Sequence, residues 1–77
     1  MSPAQTRAAR ALLFVSQEDV AGWSGVSKGT IANYERGARR PIPANLRALR
    51  EAFEAHGVEF IDAGDGKGVG ARLIEPT

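Results

Sequence analysis

Residues 17–37 read QEDVAGWSGVSKGTIANYERG, and the local chemistry of this stretch decides the fold. Ser16 just before it is a good helix N-cap, and Gln17, Glu18 and Asp19 place acceptors in a first turn whose N–H groups are free. Val20 and Ala21 then face inward, with Ala21 small enough to let a second helix come close. Gly25 lacks the Cβ that would clash in a left-handed turn, so the first helix ends there. Val26 plugs the corner and Ser27 caps a second helix, on which Ile31 and Tyr34, three residues apart, share the buried face. Gly37 stops it. The reading is two short helices, at roughly 17–23 and 28–36, joined by a tight turn.

Working outward, Ser2-Pro3-Ala4-Gln5 is a capping box with proline at the first helical position, predicting a helix from there to about Phe14. Ala8, Ala11, Leu12 and Val15 form its expected apolar stripe. Arg7 is expected to point elsewhere, and the pattern leaves Arg10 without a clear place. Residues 38–43 form a loop stiffened by Pro41 and Pro43, and Pro43 can open a further helix. There Leu46, Leu49 and Phe53 make the core stripe while Arg47, Arg50, Glu51 and Glu54 face water. Gly57 and Val58 fit a Schellman ending in which Val58 touches Phe53, and His56 complements the helix dipole.

Beyond Gly57 the period changes. Val58–Ile61 alternates, Asp62–Gly68 is rich in glycine and aspartate, and Val69–Ile74 alternates again with Val69, Ala71 and Leu73 on one side. Two short strands follow from this. A lone two-stranded ribbon is marginal in water, so it either packs on the fourth helix or pairs with a second copy. The division is residues 1–57 and a hairpin tail, 58–77. Trp23 is expected to cover the core, or, if exposed, to mark a partner surface.

Seventy-seven residues suffice for one small domain, and the absence of cysteine leaves no disulfide framework or thiolate metal site. The longest apolar run, Leu12–Val15, is far short of a membrane span, so a cytoplasmic location is expected. Net charge is only +1, but residues 1–50 carry eight Lys/Arg against three Asp/Glu, and residues 51–77 carry two against six. A basic lobe beside an acidic tail suggests that the first part meets a polyanion. Gly64–Gly68 lacks the spacing of a phosphate loop, and Asp62 and Asp65 lack that of a calcium loop. With one histidine and no thiol, no catalytic, metal or cofactor constellation is expected, and the chain is not read as an enzyme.

Gln17, Ala21, Gly25-Val26-Ser27, Thr30-Ile31, Glu35 and Gly37 give residues 5–57 a close resemblance to the helix-turn-helix of the XRE (Cro/CI-type) family. That family includes phage repressors, small bacterial regulators and some antitoxins. The resemblance implies a mostly α fold: a four-helix, lambda-repressor-like helix-turn-helix domain, here followed by a short C-terminal β-hairpin. It also implies that the second helix of the motif enters the DNA major groove with its N-terminal residues at base edges. Lys28, Gly29 and Asn33 are then the base-reading candidates. Lys28 can reach guanine O6/N7 or a phosphate, and Asn33 can bond adenine at two points. Gly29 has no side chain to read with, but lets the helix sit deeper or leaves a thymine methyl uncrowded.

Gln17, at a helix N-terminus, with Ser27, Thr30, Arg36, Arg39 and Arg40, are the phosphate-binding candidates. The family resemblance further implies a partly buried structural pair of Glu35 with Arg10. The expected function is sequence-specific binding of double-stranded DNA as a transcriptional repressor. One reading helix makes few base contacts, so a homodimer on a pseudo-palindrome is expected. Residues 58–74 are the candidate dimerisation element if the hairpin pairs with a second copy rather than packing on the fourth helix. Two alternatives stand beside it. One is a DNA-binding antitoxin whose hairpin holds a toxin, and the other a protein-binding adaptor or anti-activator that no longer touches DNA.

Overall fold

Each of the first three helices starts at a serine whose hydroxyl takes up a free backbone N–H. Ser2 Oγ accepts from the Gln5 amide at 3.2 Å, Ser16 Oγ from Asp19 at 3.0 Å and Ser27 Oγ from Thr30 at 3.2 Å. At the first two sites the side chain of the third helical residue returns the bond, closing a capping box. The computed structural model describes residues 1–75. Its helices are α1 (Pro3–Leu13), α2 (Gln17–Ser24), α3 (Lys28–Glu35) and α4 (Pro43–Ala55), followed by strands β1 (Val58–Ile61) and β2 (Gly70–Leu73). Only α4 begins without a side-chain cap, at Ile42, with Pro43 setting its first turn.

Gly25 ends α2 at φ 74° and Gly37 follows α3 at φ 73°, both in the left-handed region where a Cβ is disfavoured. Ser24 braces the turn of the motif: its hydroxyl donates to Val20 O at 2.7 Å and accepts from the Val26 N–H at 3.1 Å. With the turn held, Val26, Ile31 and Tyr34 enter a core that also contains Ala9, Val20, Leu49, Phe53, Val58 and Phe60. The Phe53 and Phe60 rings meet edge to face at 6.0 Å. One core thus serves helices and hairpin alike and runs through the 57/58 boundary.

The strands pair antiparallel, from Val58 opposite Leu73 to Ile61 opposite Gly70. The expected second strand, 69–74, is shorter by a residue at each end. The ribbon does not rest on α4 alone: β1 packs against α4 and β2 against α1. Gln5 secures the loop end of the ladder. Its Nε2 donates to Ile61 O at 3.1 Å and Gly70 O at 2.9 Å, while its Oε1 accepts from the Ser2 N–H at 2.8 Å. A two-stranded ribbon that would be marginal alone is thereby pinned to the helices.

The expected apolar stripe of α1 is a correction. Ala8 and Ala11 are exposed and Leu12 only half-buried; of the four, Val15 alone, beyond the end of the helix, packs against the core. The helix turns Gln5, Thr6 and Ala9 into the protein. At 100° per residue this is a rotation of roughly a third of a turn. The physical reason is that both inward polar groups are satisfied at home: Thr6 Oγ1 donates to Ser2 O at 3.0 Å, and Gln5 bonds the hairpin. Among the described residues no buried side-chain nitrogen or oxygen lacks a partner. Rotation also turns both arginines of α1 toward α3. Arg7, expected to point elsewhere, donates through Nη1 to Glu35 O at the end of α3, where a cation complements the helix dipole. Trp23 lies partly exposed on the seam of α2 and α4, stacked on the His56 ring with centroids 3.5 Å apart. His56 Nδ1 in turn lies 2.8 Å from Ala52 O, one turn back on α4.

Candidate nucleic-acid interface

The orientation of α3 is set by a charged junction beneath it. Glu35 is buried at its C-terminal end, and its carboxylate accepts from Arg10 Nε and Nη2, each at 2.7 Å, in a two-pronged pair. Gln17 Nε2 adds a bond to Glu35 Oε1 at 3.1 Å, and Arg10 Nη1 donates to Val15 O at 3.2 Å. Burial alone pushes the Glu35 carboxyl up. The bonds from Arg10 and Gln17 and the charges of Arg10 and Arg7 outweigh it, so the group sits below its ordinary 4.5. The bond to Glu35 raises Arg10 correspondingly, against the opposing effect of burial. Residues from α1, α2 and α3 meet at this one carboxylate. It locks both helices of the motif to α1.

Above the junction α3 presents Lys28, Gly29, Thr30 and Asn33 outward, opposite the buried Ile31 and Tyr34. Lys28 and Gly29 are exposed, whereas Thr30 and Asn33 are half-buried along the rim. Lys28 Nζ pairs with Glu18 Oε1 of α2 at 3.0 Å, with both side chains largely in solvent. Asn33 Oδ1 accepts from Arg36, through Nε at 3.2 Å and also through Nη2. Ser27 is engaged as the cap and also donates to Thr30 Oγ1 at 2.9 Å. Gly29 has nothing within 4 Å of where a Cβ would stand, and its φ is unremarkable for a helix. Packing gives no reason for a glycine there.

Beside this face lies a concave site of about 310 Å³, lined by Thr30, Asn33, Arg39, Arg40, Pro41, Ile42 and Asn45. Four of the residues singled out from sequence converge in it. Arg39 and Arg40 are exposed, so their charges stay solvated and available to an anion. Arg40 also faces Tyr34. Burial raises the phenol above its ordinary value, the Arg40 charge partly opposes the shift, and the hydroxyl donates to Met1 O at 2.7 Å. Among the described residues no cluster of three or more acids or histidines could hold a metal ion, and no helix is long and apolar enough to cross a membrane.

A family model of the helix-turn-helix domain matches residues 4–60, which is 57 of the 77 residues. The chain belongs to the helix-turn-helix domain family. This family is associated with XRE-like transcriptional regulators, and membership implies DNA binding; catalysis is not typical of it. A search of curated proteins finds no match.

Within this helix-turn-helix domain the candidate residues divide by location. Lys28, Gly29, Thr30 and Asn33 share the outer side of α3, and Thr30 and Asn33 also border the concave site with Arg39 and Arg40. Arg36, at the C-cap of α3, is exposed but engaged with Asn33. Gln17 is set apart from the arginines, its amide held against Glu35 while the first turn of α2 supplies backbone N–H groups beside it. Two rim residues escaped sequence reasoning. Ile42 is 64% exposed and Asn45 half-buried, both brought there by the start of α4. The signal was present in Pro43, which marks a helix N-terminus and so the point where the chain turns back beside the arginines.

Proposed function

We propose that this helix-turn-helix domain is a sequence-specific regulator of transcription, acting as a repressor by occupying double-stranded DNA as a dimer on a pseudo-palindrome. The observation that carries the reading is the convergence of Thr30, Asn33, Arg39 and Arg40 on a concave site beside the outward face of α3. A helix in a major groove needs base-reaching groups on its outer side and phosphate-binding groups flanking it. Lys28 and Asn33 suit the first role. Lys28 has to leave Glu18 to donate to guanine, an exchange that is easy for a solvent-exposed pair. Asn33 Oδ1, which accepts from Arg36 twice, has to give up at least one of those exposed bonds to accept from adenine while its amide donates to N7. Gly29 lets the α3 backbone approach the bases.

Phosphates are assigned to the concave site and to the α2 N-terminus: Thr30, Arg39 and Arg40 on one side, Gln17 with the first-turn N–H groups on the other, with Ser27 and Arg36 at the edges. Residues 1–57 carry the DNA contacts, and the hairpin strands brace α1 and α4. The working compartment is the one that holds the DNA, the cytoplasm.

The test is fluorescence anisotropy with duplexes selected from a randomised pool, read at 50 and 200 mM salt. Six to eight phosphate contacts per dimer predict an affinity loss of about 10³- to 10⁴-fold over that range. Selected sequences should show two related half-sites about one helical turn apart. Salt-independent binding, or a pool that yields no preferred sequence, overturns the reading in favour of a protein-binding adaptor.

A further inference from the structure

The side of α1 that was expected to face the core instead lines a groove with β2. Ala8, Ala11 and Leu12 form one wall, Ala71 and Leu73 the other, and Phe14 stands at its end. The groove measures about 580 Å³ and carries no charged residue. Phe14 is its most unusual member. It follows the last residue of α1 at φ 56°, a conformation that disfavours large side chains, and the residue is 96% exposed. Its backbone N–H closes the helix on Ala11 O at 3.3 Å, which any residue but proline could do. The fold therefore needs neither the aromatic ring nor its exposure.

We propose that this face receives a second copy of the chain, with Phe14 of each protomer seated in the α1–β2 groove of the other. The argument for a second copy is that knob and socket lie on the same face, which is the requirement of a two-fold, self-complementary contact. The absence of charge from the lining argues against an ionic partner. Each ring brings about 150–250 Å² and covers a similar area of groove wall, so the two contacts bury about 600–1,000 Å² in all. That is below the size of stable specific interfaces, so the contact is a weak one when the protein is free in solution. A shared duplex would tighten it by raising the effective concentration.

No lining residue of the groove belongs to the DNA-facing set, so both surfaces can be occupied together. The inference deepens the reading of a dimeric DNA-binding regulator and rests on that reading for its purpose. It places the contact on α1 and β2 rather than in the pairing of hairpins, one of the two alternatives that the sequence left open for the ribbon.

Sedimentation velocity of the full chain from about 1 to 300 µM, without DNA, tests it. Wild type should pass from monomer to dimer, and Phe14→Asn should weaken the dimer by at least 30-fold, as expected of a central aromatic anchor. Asparagine tolerates the left-handed conformation, so its melting temperature should not fall, which separates lost association from lost folding. With photo-reactive benzoylphenylalanine in place of Phe14, cross-links should fall within residues 8–12 or 71–73 of the second copy. A wild type that stays monomeric throughout, a Phe14→Asn variant that dimerises as well as wild type, or cross-links elsewhere would each overturn the proposal. A mixed-sequence 24-base-pair duplex keeps the two ideas apart. Wild type that dimerises without binding it sinks the DNA reading alone, and wild type that binds it while remaining monomeric sinks the dimer face alone.

Discussion

Two ion pairs hold glutamates of the motif, and they differ in almost every physical respect. The Arg10–Glu35 pair is two-pronged, with side chains 25% and 5% exposed, and joins residues 25 apart in sequence. The Lys28–Glu18 pair is single, with side chains 57% and 74% exposed. Coulomb attraction is similar in form, but water screens the second pair and is largely excluded from the first. A buried carboxylate cannot give up its partner without being left uncompensated, whereas an exposed lysine can exchange an acid for another acceptor at little cost. Burial thus makes one pair a fixed joint and the other an exchangeable contact on the surface assigned to DNA.

The sharpest way to break this contrast is to remove the buried acid. Glu35→Ala should cost about 3 kcal/mol by stranding Arg10, enough to lower the melting temperature of so small a domain by about 12–24 °C. Glu51→Ala, on the solvent side of α4, should stay within about 0.5 kcal/mol. Equal melting temperatures for the two variants would mean that the joint contributes nothing.

Acid probes the same joint without truncation. Because the Glu35 carboxyl is held below its ordinary 4.5 in the folded protein, its contribution is present above that value and lost as pH falls through the depressed one. Urea midpoints of wild type should fall more steeply below about pH 4.5 than those of Glu35→Gln, which has no proton to take up. Parallel curves would place the acid sensitivity elsewhere.

The exposed pair should respond in the opposite sense. Glu18→Gln should leave stability within about 0.5 kcal/mol, while raising affinity for selected duplexes about three- to tenfold at low salt. The gain should shrink as salt rises, because a competing acid and a repulsive charge have both been removed. An unchanged affinity would mean that Lys28 stays in solvent.

The smallest effect is expected at Gly29. Its surroundings are open, so Gly29→Ala should stabilise α3 by about 0.5–1 kcal/mol, yet weaken DNA binding if a close backbone approach is needed. Gly22→Ala on α2, also in open surroundings, is the control, with a similar gain in stability and no change in binding. Matching binding by both variants would remove the case for Gly29 at the groove.

Much of the candidate interface was legible because it is local. The caps at Ser16 and Ser27, the turn at Gly25 and the outward side of residues 28–33 depend on partners within one helical turn. The bond of Arg36 to Asn33 is equally local, three residues along the chain, yet escaped sequence reasoning, which assigns the two separately, to a phosphate and to a base. Less legible was the return of α4 to the reading face, which brings Ile42 and Asn45 beside Arg39 and Arg40. A proline-stiffened loop announces a new helix, but not the direction in which it sets out.

What the amino-acid order determined by itself is the set of helices, their caps and stops, and the motif they compose, since these follow from interactions spanning three or four residues. The tertiary structure alone decided how α1 is rotated. Gln5 finds the Ile61 and Gly70 carbonyls 56 and 65 residues away, Arg7 and Arg10 find Glu35, and the apolar side of the helix is left outside. A helix has no preferred rotation until distant polar groups and their partners are brought together, and here their satisfaction outweighed a stripe of alanines and one leucine.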